Sequence, residues 1–209
     1  NNYPFGDDFG FHTFVYDSLG NDIQLNYFFI DSVKLNIWSH SQITSTGQFY
    51  SGFYGQNYHN SLGRPFITKH NWNGDTIKTA AIDSVNGFVA GIDLYNEAWI
   101  YATSGQRNPG QIESDPVIYL VDTNLEVRKS KIITEPLFKA NPFSVRAKSQ
   151  NEIYVGSNNE NAQGDQFGVG YLLDSNFNVT WRRVYGPGIV LTVMDMDSTG
   201  LIWKGILDT

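Results

Sequence analysis

The stretch Gly170-Tyr171-Leu172-Leu173-Asp174-Ser175-Asn176-Phe177-Asn178-Val179-Thr180-Trp181-Arg182-Arg183-Val184-Tyr185 decides the fold. A short apolar run, a polar tip and a second, more polar run read as a β-hairpin. Asn, Asp and Gly at such a tip supply the positive φ that a tight turn needs. The same kind of turn stands at Asp17-Ser18-Leu19-Gly20-Asn21, His70-Asn71-Trp72-Asn73-Gly74 and Asp122-Thr123-Asn124-Leu125-Glu126. First residues of successive turns are 53, 52 and 52 positions apart. Each turn follows an apolar strand (His12 to Tyr16, Pro65 to Thr68, Pro116 to Val121, Gly170 to Leu173). A second strand follows each, from Gln24, Thr76, Val127 and Thr180.

A second set of turns recurs out of phase, at Ser45, Asn96, Asn151 and Ser198, each after a strand. Those strands are Leu35 to Ile43, Phe88 to Leu94, Phe143 to Ala147 and Ile189 to Met196. Each period of about 52 residues therefore holds four strands, labelled A to D from inner to outer. No stretch shows helical periodicity; Lys34 to Ser41 comes nearest and alternates as a strand does. Four antiparallel strands per repeat, joined by short turns, are the signature of a β-propeller. One blade cannot bury both of its faces alone, and stacked blades can. The expectation is a single all-β domain over residues 1–209, with four repeats. The repeats are out of phase with the termini: the chain starts before a C strand and ends after a B strand. Two arrangements follow from that phase. One is a four-bladed ring, completed by pairing the first C–D hairpin with the last A–B hairpin. The other is part of a larger propeller. In either arrangement the propeller is expected to be held in a larger assembly, through its loop face or its rim.

Composition narrows the function classes. Charged residues are 17% of the chain, where about 25% is usual. Aromatics reach 15%, which favours strands and blade-to-blade packing. The net charge is −7 and the only basic run is Arg128-Lys129-Ser130-Lys131. Nucleic acid is therefore not an expected partner, because phosphate contacts supply most of that affinity. That basic run reads as a solvated edge on an outer strand. The longest apolar run, Gly188 to Met194, is far short of the roughly 20 residues that span a bilayer. No Cys is present, which excludes disulfides and thiolate chemistry.

The fourth hairpin, Asp174 to Gly186, resembles the D-x-x-G-N-x-x-W-x-x-x-Y-G hairpin of secreted bacterial propeller repeats. Such repeats are widespread in Bacteroidetes and are often carried by the type IX secretion system. Asp17-Ser18-Leu19-Gly20-Asn21 matches the same opening; Phe177 stands where the pattern prefers Gly. The WD dipeptide and the paired glycines of Kelch repeats are absent. The resemblance implies an extracellular or cell-surface role as an envelope component or secreted cargo, and no particular activity. Secreted Bacteroidetes proteins are also glycosylated on Asp-(Ser/Thr)-apolar or -Thr triplets. Five such triplets make Ser18, Ser32, Thr76, Ser84 and Ser198 the candidate acceptors.

No acid–base or metal constellation stands out. Asp195-Met196-Asp197-Ser198-Thr199-Gly200 opens like a calcium loop but has Ile206 where the twelfth ligand should be. No two of the four His have ligand spacing, so no metal and no cofactor are expected. Inner-strand groups that a polysaccharide hydrolase or lyase would need at a channel are His40, Asp93, Arg146 and Asp195. The B–C loops, Gly55 to Gly63, Ser104 to Ser114 and Ser157 to Phe167, carry amides, aromatics and few charges. Such side chains suit sugar hydroxyls and flat sugar faces, and equally a protein surface. Loops on a rigid scaffold are where binding concentrates. Tyr58, His59, Arg107, Asn108, Asn159 and Asp165 are the candidate binding residues. The expected function is a non-catalytic interaction or scaffold module that takes a protein or a surface glycan on its B–C face.

Overall fold

The computed structural model describes residues 11–16, 19, 22–28, 33–57, 63–83, 86–107, 114–134, 139–196 and 201–207. Side chains are described for 19, 41–52, 63–83, 87–105, 115–134 and 139–189. All sixteen elements among the described residues are strands. Strands β3 (Val33–Ile43), β4 (Phe49–Asn57), β5 (Gly63–His70) and β6 (Thr76–Ala81) form one antiparallel sheet in that order. A second sheet holds β7 (Asn86–Tyr95), β8 (Trp99–Arg107), β9 (Ser114–Asp122) and β10 (Val127–Ile132). The third holds β11 (Lys139–Ser149), β12 (Glu152–Glu160), β13 (Gln166–Leu173) and β14 (Val179–Tyr185). The A-to-D reading of the repeat is thus reproduced three times, strand for strand.

The expected closure is not present. The first hairpin, β1 (Phe11–Tyr16) with β2 (Asp22–Phe28), and the last, β15 (Ile189–Met196) with β16 (Leu201–Leu207), are separate two-stranded sheets. The sheets are therefore not joined into a ring.

Consecutive sheets stack face to face, and strand alternation explains why. Successive side chains of a strand point to opposite faces. In β8 and β9, Ile100, Ala102, Val117, Tyr119 and Val121 face back onto Tyr50 and Ile67 of the sheet before. Tyr101 and Ile118, the residues between, face forward onto Val145, Ile153, Val155 and Tyr171. Both faces of the middle sheet are thus apolar and covered. Ile67, Ile100, Ile118 and Ile153 are fully buried, each stabilising the stack by about 2–3 kcal/mol relative to exposure. The inner strands approach closely. A Cβ on Gly91 of β7 would lie 2.8 Å from the Ser144 Cα of β11, so this crossing requires glycine.

The C–D turns are built on one template. The Asp122 side chain accepts the Asn124 and Glu126 amides, and Asp174 accepts those of Asn176 and Asn178. In the β5–β6 turn the accepting side chain is Asn71, which takes the Asp75 amide. Asn71, not His70, is thus the counterpart of Asp122, one residue beyond the position that the aligned turns predict. His70 closes β5 instead, wholly buried and stacked on Phe49 at 4.5 Å.

Candidate functional site

The stack has two unlike ends. At one end lie the A–B and C–D turns, and polar side chains staple each sheet to the next there. Lys78 donates to the Asn124 carbonyl at 2.7 Å, and Lys129 to the Ser175 carbonyl at 2.6 Å. Lys131 reaches the Asn178 side chain at 2.6 Å. Between A–B turns, Glu97 accepts the Ser45 amide at 2.7 Å and the Ser45 hydroxyl at 3.0 Å. The Ser45 amide, then its hydroxyl, hold the Glu97 carboxyl below the usual range. Glu97 sits at φ 54, where a non-glycine residue is strained, and these bonds offset that strain. The basic run is therefore not the freely solvated edge expected from sequence. Lys129 and Lys131 grip the neighbouring sheet, and Arg128 pairs with Asp122 and Glu126 of its own turn.

The staples were the part that sequence reasoning missed. Their signal was present: Lys78 and Lys129 are one repeat period apart and hold the same register on their outer strands, opposite Lys69 and Leu120.

At the other end lie the B–C turns. The described one, Asn161 to Asp165, is tight, because β12 runs to Glu160 and β13 starts at Gln166. Most of the predicted loop Ser157 to Phe167 is therefore strand. Asn161 accepts the amides of Gln163 and Asp165 and donates to the Asp165 carboxylate at 2.8 Å. Gly164, at φ 90, has nothing within 4 Å of where a Cβ would stand. Ala162, Gln163, Gly164 and Asp165 are exposed, and the Asn161 side chain bonds only to Gln163 and Asp165 of the same turn. Asn159 does not join that surface. It belongs to β12, is 0% exposed, and meets the Ser157 and Tyr171 hydroxyls. Burial of a polar side chain with satisfied hydrogen bonds makes it a structural residue. Of the other candidate binding residues, Tyr58, His59 and Asn108 lie outside the described residues. Arg107 ends β8, and its side chain is not among those described.

The inner strands bring polar residues to one register. Gln42, Asp93, Arg146 and Asp195 stand opposite Tyr50, Tyr101, Tyr154 and Ile202 on the second strands. Asp93 accepts the Ala147 amide at 2.7 Å and lies 3.7 Å from the Arg146 guanidinium. Arg146 also donates to the Val145 carbonyl at 3.0 Å. Asp93 and Arg146 thus tie β7 to β11, and the Asp93 carboxylate is engaged by backbone and cation. The side chains of His40 and Asp195 are not among those described. No group of three His, Cys, Asp or Glu residues able to hold a metal occurs among the described residues. Among those residues no helix is long and apolar enough to cross a membrane. Of the glycosylation candidates, Thr76 is described and is exposed at the start of β6; Ser18, Ser32, Ser84 and Ser198 lie outside the described residues.

Compared with known protein families and with curated proteins, the chain matches none.

Proposed function

We propose that the chain is a non-catalytic interaction module, a four-bladed propeller of a secreted or cell-surface bacterial protein, which binds a protein or glycan through its B–C end. One observation carries this reading. The lysine and glutamate staples between sheets lie at the A–B and C–D end, Tyr119 of β9 donates to Asp83 of the D–A connection at 2.6 Å, and the described B–C turn spends its hydrogen bonds on itself and leaves four residues exposed. An end fixed by the stack behind it, and not consumed in holding the stack, can present a rigid surface without loss of stability. Asp165 and Gln163 offer an acceptor and an amide there, a chemistry suited to sugar hydroxyls or to a polar interface rim. The acidic balance of −7 fits a soluble module that does not seek phosphate backbones. Exposed Thr76 following Asp75 is the glycosylation acceptor that this reading favours.

A glycan array together with a pull-down from a bacterial cell envelope tests the proposal. Wild-type chain should retain a ligand in one of the two. A variant with Gln163→Ala and Asp165→Ala, and alanine at Tyr58 and Arg107, should lose it at least about tenfold, the effect of about 1.4 kcal/mol of contact. Retention unchanged by those substitutions, or turnover of a glycan by the wild-type chain, overturns the reading.

A further inference from the structure

β14 is the outer strand of the third sheet, and its side chains alternate between two faces. Trp181, Arg183 and Tyr185 stand opposite Leu172, Gly170 and Gly168 of β13 and share one face. Arg182 and Val184, opposite Tyr171 and Val169, take the other. In the second sheet the positions of Trp181 and Arg183 belong to Lys129 and Lys131, opposite Leu120 and Ile118. Those lysines staple the joint, donating to Ser175 and Asn178 of the next turn. The third sheet has an indole and a guanidinium in their place. Gly170 and Gly168 put no side chain beside Arg183 and Tyr185.

The strip is open to solvent. Trp181 is 40% exposed, Arg183 is exposed and Tyr185 is half-buried. An outer strand keeps such access inside a stack: Lys131 is exposed although the third sheet packs on the second. Arg183 lies 5.1 Å from the Tyr185 ring centre and meets no carboxylate among the described residues. Arg128 and Arg146, by contrast, pair with Asp122 and Asp93. An arginine without a carboxylate is a local excess of positive charge on a chain whose net charge is −7. Stacking on Tyr185 orders the guanidinium, so its fork of donors is preorganised for a planar anion.

We propose that Trp181, Arg183 and Tyr185 form a binding strip for a glycan that carries a sugar carboxylate. Arg183 takes the carboxylate through two parallel N–H···O bonds. Trp181 offers its ring to the apolar face of a neighbouring sugar, and Tyr185 offers a ring and a hydroxyl four residues on, about 13 Å along the strand. One guanidinium on an acidic chain selects an isolated carboxylate on a mostly neutral glycan. A dense polyanion, nucleic acid included, would gain one contact and meet the repulsion of a chain at −7. The strip runs along the rim and does not depend on the B–C turn.

Calorimetric titration of the intact chain tests it, with xylotetraose bearing one glucuronate, with unsubstituted xylotetraose and with sialyllactose. One or both of the acidic glycans should bind at least about tenfold more tightly than neutral xylotetraose, the scale of a charge-assisted pair. The better of the two distinguishes a uronate from a sialate as the source of the carboxylate. Arg183→Ala should erase the preference, and Arg183→Lys should restore only part of it, because an ammonium cannot make the paired bonds. Trp181→Ala should weaken acidic and neutral glycans alike, by about tenfold. Both positions are exposed, so the urea midpoints of these variants should match wild type; if one falls, Arg183→Gln or Trp181→Phe is read in its place. Binding of neither acidic glycan at millimolar concentration overturns the proposal, as does a preference that survives Arg183→Ala. Tighter binding of single-stranded DNA than of either acidic glycan overturns it in favour of a phosphate site. Glycan binding lost with Gln163→Ala and Asp165→Ala but kept with Arg183→Ala assigns the ligand to the B–C turn and overturns the strip alone.

Discussion

The turns at Gly164 and at Phe177 have the same wiring and opposite surroundings. In both, an Asx side chain accepts two turn amides, and the fourth residue donates its amide to the carbonyl of the first. In both, that fourth residue has positive φ, 90 for Gly164 and 59 for Phe177. Around Gly164 the space is empty, whereas Phe177 is 2% exposed and meets the Tyr101 ring edge-on at 6.4 Å. Leu125, at φ 60, does the same for the sheet before and is 4% exposed. A phenylalanine in the left-handed region costs about 1–2 kcal/mol, and burial of its ring more than offsets it. The β9–β10 and β13–β14 turns therefore plug the joints between sheets, and the described B–C turn is left to solvent.

Removing the plug should have the largest effect. Phe177→Ala keeps the strained backbone and empties the joint, and should destabilise the fold by about 3–5 kcal/mol in urea titration. Phe177→Gly relieves the strain and should still cost about 3 kcal/mol. If Phe177→Gly proves neutral or stabilising, the ring is not holding the sheets together and the contrast between the turns fails.

The β5–β6 turn breaks the pattern in another way. Its fourth residue is Gly74, and the position before the turn holds buried His70 where Val121 and Leu173 stand in the register of the other sheets. Burial lowers the His70 imidazole from the usual 6.5 to about 4, against a smaller opposing pull from its contact with the Gly74 carbonyl. The folded chain keeps this group neutral while the unfolded chain protonates it. Stability is then fully present above about 6.5 and falls as pH drops towards about 4. The loss attributable to His70 should reach about 3 kcal/mol. Denaturation of wild type and His70→Leu across that window measures it. The wild-type curve should fall relative to that of the variant as pH drops through that window, and parallel curves would contradict the burial argument.

The cap itself is worth less. Asp174→Ala removes the acceptor for two turn amides and should cost about 1 kcal/mol by thermal melting. The Asp174 carboxyl is held below its usual range by the Asn178 side chain first and the Asn178 amide second.

How much of this was legible in advance follows from what kind of signal each feature leaves. Turn residues and strand alternation recur with the period, so the strand order and the A-to-D assignment could be read directly from residues such as Asp122 and Asp174. The offset at His70 could not, because a histidine before an asparagine and an aspartate before a threonine look alike as turn openers. Asn159 misled for a related reason. A run of amides resembles a loop, and here one amide is buried against Tyr171. The staples at Lys78 and Lys129 join residues in different repeats, so nothing local marks them as other than surface lysines. At the inner register Asp93 could be picked out as a carboxylate, but its engagement by the Ala147 amide depends on a strand 54 residues away.

Gly164 offers the smallest effect and the sharpest check on the contrast between the turns. Its φ of 90 disfavours any side chain, while the open space around it offers no packing in return. Gly164→Ala should therefore cost about 1 kcal/mol from strain alone. Gly164→Asn should stay within about 0.5 kcal/mol of wild type, since asparagine tolerates the left-handed region. A larger residue should recover nothing, because there is no joint for it to fill. If Gly164→Phe matched or exceeded wild-type stability in urea, a hidden contact surface would have to lie over this turn, and the B–C end would no longer be the free end of the stack.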